Sequence, residues 1–184
     1  MKAHYSPRIT PIAHEQATEE VRTAFEKHVT ENAGSRITNM KATLGRNLLA
    51  FNVYMEWYPL YYRVKEIVGP RMAYLYAHAI SEGSNCPLCS TFFRKIIIDN
   101  GENPDTLELT AEEQQLLDFG SAISQNRGEV ADSIYHPVAD RYSEEEMVVL
   151  VAFAGQMIAT NIFNNVLRVN IDEYLFPYTS LEQG

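Results

Sequence analysis

Only two cysteines and one tryptophan occur in the 184 residues. Cationic residues are also scarce: 15 Lys and Arg stand against 24 Asp and Glu, for a formal charge of −9. Nucleic-acid or anionic-membrane binding needs clustered cations to neutralise phosphate, so this balance argues against both as partners. No apolar run approaches the ~20 residues that span a bilayer. The opening MKAHYSPRITPIAHEQ lacks the apolar stretch of a secretory signal. There is no glycine-rich phosphate loop, no basic–aromatic stripe and no second Cys-x-x-Cys. These absences point to a cytoplasmic protein. In that reducing compartment structural disulfides rarely persist, so two cysteines are better read as reactive or metal-binding than as a staple.

What is present suits one globular domain over residues 1–184. Hydrophobic residues make up 46% and charged residues 21%, enough for a sizeable core. The periodicity is helical throughout, with no convincing strand pair, and the expected fold class is all-α. Residues 1–14, with Pro7 and Pro11, read as an extended arm. Val21, Phe25 and Val29 fall four apart on a helix over 17–32 that Gly34 would stop. An aromatic-rich stretch follows from Met40 to Val68, with Pro59 expected to kink or break it. Gly69-Pro70 is a stop-and-restart signal before a helix ending near Gly83. Ser84 or Asn85 would cap a helix running through the cysteines to about Asn100. Thr110 with Glu113, and Ser143 with Glu146, are capping-box pairs opening two more. A short helix between them would be interrupted at Pro137, and 173–184 reads as a tail.

The chemistry concentrates in EGSNCPLCSTFFRK, which holds Cys86 and Cys89. Two intervening residues put the sulfurs about one helical turn apart, within disulfide reach if the first stands at a helix start. A helix N-terminus also stabilises a thiolate through its unpaired N–H groups. Three readings stay open on these residues: a redox dithiol, part of a zinc site, or two small core residues. Zinc needs four ligands, and beyond His78 as a third no fourth is suggested by spacing. His78 and Glu82 share a helix face four residues apart, as a general-base pair beside the thiols or as a surface ion pair. His4, His14, His28 and His136 stand in no nucleophile or metal constellation. Trp57 with Tyr54, Tyr58, Tyr61 and Tyr62 could line a pocket, although aromatics at helical spacing are more often core.

The order of segments adds a resemblance. RITPI, EQATEEVRTAFEK, LLAFNVYMEWYPLYY, AYLYAHAISEGSNCPLCSTFFRKIIIDNG, LTAEEQQLLDFGSAIS and YSEEEMVVLVAFAGQMIATNIFNNVLRVNIDEYL together resemble the carboxymuconolactone decarboxylase-like superfamily. Within it the match is to the AhpD-like, peroxidase-related branch, and it covers most of the chain. The resemblance implies an AhpD-like helical bundle, a homo-oligomer, and a cysteine pair cycling between dithiol and disulfide, with no cofactor. It implies a peroxide or disulfide substrate and a thiol electron-donor protein. Carried over, Cys89 attacks and Cys86 resolves, whereas helix electrostatics favour Cys86 as the more acidic thiol. Two departures stand out. The branch has a Glu twelve residues before the first cysteine and a His four after the second, where this chain has Tyr74 and Phe93; Leu88 also stands where some members have His. His78, oriented by Glu82, is the candidate substitute for that relay. The alternative function is a redox sensor or ligand-binding oligomer with vestigial chemistry; lactone decarboxylation is disfavoured, since that subgroup does not need the pair.

Overall fold

Helix starts follow the caps that the sequence supplies. In a computed structural model describing residues 6–32 and 35–179, Thr18 accepts from Val21 N and opens α1 (Glu19–Glu31). Thr38 opens α2 (Asn39–Leu44) and Asn47 opens α3 (Leu48–Met55) in the same way. Both capping boxes form, Thr110–Glu113 before α6 (Ala111–Gln125) and Ser143–Glu146 before α8 (Glu144–Leu167). The remaining helices are α4 (Trp57–Gly83), α5 (Pro87–Asp99) and α7 (Asp132–Ala139), with short 3₁₀ turns at His14–Gln16 and Glu173–Tyr178. Among the described residues there is no strand, so the all-α reading holds. The expected stop at Gly34 lies outside the described residues.

Three local expectations are corrected. The aromatic stretch breaks at Glu56, and Pro59 sits in the first turn of α4, where its missing N–H costs nothing. Pro137 lies inside α7 without interrupting it. Neither Ser84 nor Asn85 caps α5: the N-cap is Cys86 itself, extended at φ −103°, with Pro87 following. Gly69 does break the helical path, at φ 82° and ψ 156°, and Pro70 restarts the second half of α4.

The second half of α4 is the central post. It packs against α6, α8 and α5, and Ala73, Tyr76, Ala77 and Ile80 are wholly buried there with Leu150 and Phe153 of α8. Gly120 lets α6 close on α4, since a Cβ there would lie 2.6 Å from the Tyr76 ring. A second apolar cluster joins Val21 and Phe25 of α1 to Leu44 and Phe51. A third, smaller one contains Cys86, Leu88, Cys89 and Val169, flanked by Met40 and Phe163. The arm is tied down where described: Arg8 N donates to Leu167 O at 2.9 Å and Ile12 N to Ala42 O at 3.1 Å. Contrary to the reading of apolar runs, α8 is long and apolar enough to cross a membrane by length and composition. Its Met147, Leu150, Phe153, Ala154 and Met157 nevertheless fill the protein core.

Candidate functional site

The turn between α4 and α5 is built to present the first cysteine. Asn85 adopts φ 49°, a left-handed conformation that asparagine tolerates, and Cys86 N donates to Ser81 O at 3.1 Å. Asn165 of α8 donates from Nδ2 to the carbonyls of Ser84 and Asn85, at 3.2 Å each. The turn is therefore held from both α4 and α8. Since α5 begins without a side-chain oxygen as its cap, the N–H groups of Cys89 and Leu88 face the Cys86 sulfur.

Both cysteines are free and buried, Cys86 at 1% and Cys89 at 5% exposure. The two thiols interact, and the pair divides sharply. The Cys86 thiol is lowered, first by the hydrogen bond from Cys89 and then by the backbone N–H groups of its helix, against the opposing effect of burial. The Cys89 thiol is raised well above the ordinary range by its bond to Cys86 and by burial. Of the two, Cys86 is the thiol that ionises more readily. Asn164 Nδ2 also donates to Cys89 Sγ at 3.1 Å and lowers both thiols. Met157, Asn161 and Asn164 recur along one face of α8. Asn164 Oδ1 and both polar atoms of Asn161 are buried without a protein partner, a cost of roughly 1–3 kcal/mol per group in an apolar setting.

Cys89 borders a cavity of about 90 Å³. For scale, an apolar cavity of about 150 Å³ admits benzene. The walls include Tyr54, Trp57, Tyr58, Phe92, Phe93 and Met157. The aromatic set singled out from sequence therefore splits: Tyr54, Trp57 and Tyr58 line the cavity, Tyr61 is core behind Trp57 in a 4.5 Å stack, and Tyr62 is exposed.

Polar groups border the same cavity. Lys41, only 4% exposed, donates from Nζ to Ser35 Oγ at 2.6 Å, Tyr58 OH at 2.8 Å and Arg36 O at 2.9 Å. Burial lowers its ammonium to about 8, although Asp172 pulls the other way. Ser35 Oγ also lies 3.1 Å from Tyr58 OH and 3.0 Å from His28 Nε2. Burial and the neighbouring Lys41 lower His28 to about 4, so it is neutral at pH 7. Asp172 accepts from Asn39 N at 2.8 Å, and burial raises its carboxyl.

His78 and Glu82 are brought together, with Nε2 and Oε1 3.8 Å apart. Their charged surroundings are Arg94 and Asp105, themselves ion-paired at 2.5 Å. Burial lowers the His78 imidazole first, and Glu82 partly offsets this. Among the described residues no hydrogen bond joins His78 to either thiol. At the two departures, Tyr74 is buried and donates to Glu102 Oε2 at 2.9 Å, while Phe93 packs near Trp57 and lines the cavity. No group of three or more His, Cys, Asp or Glu side chains among the described residues is placed to hold a metal ion.

No protein-family model matches the chain, and no curated protein matches it either. Solved structures do. A cysteine-to-alanine variant of the debrominase Bmp8 in complex with 2,3,4-tribromopyrrole superposes with a TM-score of 0.76 at 18% identity, over 92% of this chain and 94% of that one. A peroxidase-related protein from Silicibacter sp. TM1040 gives 0.69 at 12% identity, over 95% and 97%. An AhpD-core, peroxidase-related protein from Ralstonia eutropha JMP134 gives 0.67 at 14%, over 98% and 100%. The fold is AhpD-like. Within this AhpD-like frame the cysteine pair stands at the start of α5, with its sulfurs turned to α8 and the cavity.

Sequence reasoning passed over Asn164, Asn165, Lys41, Ser35 and Asp172. The asparagines carried a signal: adjacent amides interrupt an otherwise apolar helix in IFNNVL, and of the two Asn164 is buried, where an amide needs a reason. The lysine carried none, since nothing local distinguishes it from a solvated surface cation.

Proposed function

We propose that the protein is a thiol-dependent oxidoreductase that reduces a small organic substrate, a hydroperoxide in the first instance, while Cys86 and Cys89 pass from dithiol to disulfide. The observation carrying this reading is the asymmetric thiol pair itself: a more acidic thiol at a helix start, beside a second thiol that borders a cavity. A buried pair with only a packing role has no use for that polarisation. Cys89 is the attacking residue because it lines the cavity. Cys86 accepts its proton, then closes the disulfide and resolves the intermediate. A thiol electron donor returns the pair to the dithiol.

The likeness to a debrominase seen with tribromopyrrole, together with the aromatic walls, favours a second substrate reading, a halogenated ring from which the thiols remove halide. The test is stoichiometric. Reduced wild type mixed with tert-butyl hydroperoxide should consume one peroxide per chain as two thiols disappear and an intramolecular disulfide forms. Cys89→Ser should abolish consumption, and Cys86→Ser should leave an oxidised single thiol that does not resolve. If wild type consumes neither hydroperoxide nor bromopyrrole while its thiols still oxidise reversibly, the chain is a sensor and the enzyme reading falls.

The protein is also proposed to be a homo-oligomer. Val148, Ala152, Gly155, Ile162 and Val166 are exposed along one face of α8, with Val148 at 68% and Ile162 at 56%. Leu49 and Val53 of α3 add exposed apolar surface, and a second copy of this chain is its proposed occupant.

A further inference from the structure

Reduction of a hydroperoxide creates a proton demand that the thiols do not meet. When a thiolate takes the distal oxygen, the leaving alkoxide is strongly basic and needs an acid within reach; such a group is typically worth about 10²–10⁴ in rate. Phe93 has no proton to give. The Tyr74 hydroxyl is engaged with Glu102, which Arg71 also holds, with Nε 2.9 Å and Nη2 2.7 Å from Glu102 Oε1. His78 belongs to the Arg94–Asp105 cluster.

The cavity that Cys89 borders has another acid on its wall. Tyr58 is half-buried, and its ring is held edge-on by His28 at 4.8 Å and Trp57 at 4.9 Å. An ammonium can only donate, so the 2.8 Å bond from Lys41 uses a lone pair of the Tyr58 oxygen and leaves the phenolic proton to be shared between Ser35 Oγ, 3.1 Å away, and a bound substrate. The three acceptors of Lys41 are all neutral, an uncommon way to keep a buried cation. Asp172 supplies a counter-charge without a direct hydrogen bond, and a second negative charge would arise during reaction on the Tyr58 oxygen, where Lys41 already donates.

We propose that Tyr58, polarised and recharged by Lys41, is the catalytic acid that protonates the leaving oxygen when Cys89 is oxidised by an alkyl hydroperoxide. The step rests on the thiol-oxidoreductase reading above. Cys89 sulfur, as thiolate after passing its proton to Cys86, forms a bond to the distal oxygen as the O–O bond breaks. The electron pair leaves on the alkoxide, which takes the Tyr58 proton and departs as alcohol. Lys41 passes a proton to the phenolate and regains one from solvent. The Cys89 sulfenic acid then condenses with Cys86: the S–S bond forms and water leaves, carrying the Cys86 proton. Two electrons leave the dithiol and one proton enters through Lys41.

The experiment compares two oxidants on the fully reduced full-length protein. tert-Butyl hydroperoxide has a leaving group that needs an acid; an aryl disulfide (dithionitrobenzoate) releases a stable thiolate that does not. Both reactions require the ionised thiol, so the ratio of their single-turnover rates cancels thiol ionisation and isolates the acid. Tyr58→Phe should lower that ratio about 100-fold. In wild type the ratio should fall as pH rises through about 8, where Lys41 loses its proton, and in Lys41→Met it should be flat with pH. Other titratable or charged groups facing Lys41 are His28 from α1, Arg36 and Asp172 from the flanking loops, and Tyr58 from α4. His28, at about 4, is already neutral across this window. An unchanged ratio in Tyr58→Phe, or a flat wild-type profile, overturns the proposal. The wild-type profile needs no variant and stands even if a substitution fails to fold. Absence of wild-type reaction with the hydroperoxide would instead overturn the hydroperoxide reading of the substrate, on which this step rests.

Discussion

Replacing Asn164 by leucine separates reactivity from stability at the cysteine pair. The amide donates from Nδ2 to Cys89 Sγ at 3.1 Å and lowers both thiols. A hydrogen bond to an ionised group contributes ~1.5–3 kcal/mol. Because that bond favours the thiolate over the thiol, its loss raises the pKa of the pair. Alkylation at a pH below the thiol pKa should then slow by about 10- to 100-fold, because only the thiolate reacts. Leucine conserves the volume, and it removes an Oδ1 that is buried without a partner. The relief of that desolvation, roughly 1–3 kcal/mol, is comparable with the ~1.5–3 kcal/mol of the lost bond. Folding stability should accordingly change little. The assay is iodoacetamide alkylation across pH, resolved by site with peptide mass spectrometry, alongside a urea melt. An unchanged alkylation midpoint in a folded Asn164→Leu protein would show that the amide does not tune the thiols, and the electrostatic account of the pair would fail with it.

Two further outcomes are expected. His78→Ala should leave thiol alkylation and hydroperoxide turnover at wild-type rates, because its ring is grouped with Glu82, Arg94 and Asp105; a large loss of turnover would restore it as the substitute relay. Gly155→Arg should leave each subunit folded, since nothing lies within 4 Å of an added Cβ. It should also lower the assembly mass in sedimentation, because a cation would enter an apolar contact; an unchanged mass would remove the α8 face as the meeting surface.

How far the sequence could be read depended on how local each cause was. Thr110–Glu113 and Ser143–Glu146 fix their helix starts through contacts three residues apart, so α6 and α8 were legible to the residue. Gly69-Pro70 was equally plain, because one positive φ followed by one fixed φ is a two-residue event. Pro59 misled by a few residues because a proline is compatible both with a break and with a first turn. Cys86 and Cys89 were visible as a pair by spacing alone. The cap at Cys86 was not visible, since Ser84 and Asn85 are better cap residues in isolation. What displaced them was Asn165, about 80 positions downstream, holding both their carbonyls. Lys41 is the limiting case: its burial depends on Ser35, Tyr58 and Asp172 converging from separate segments, and no window of sequence contains that convergence.

The same convergence bears on why the AhpD-like frame tolerates Tyr74 and Phe93. A relay drawn from α4 and α5 would place acid, base and thiols on two helices that are covalently continuous through one turn. Here the thiols stay on α5, the amide that tunes them comes from α8, and the candidate acid comes from the start of α4 with its cation on α2. Phe93 extends the aromatic wall, which makes the cavity more apolar beside Cys89. An apolar wall raises the cost of an unassisted alkoxide and strengthens any charge–dipole contact inside the cavity. Phe93 beside Cys89 and the burial of Lys41 are therefore linked in consequence: the drier the cavity, the more a reaction there depends on a cation already held within hydrogen-bond distance of its acid.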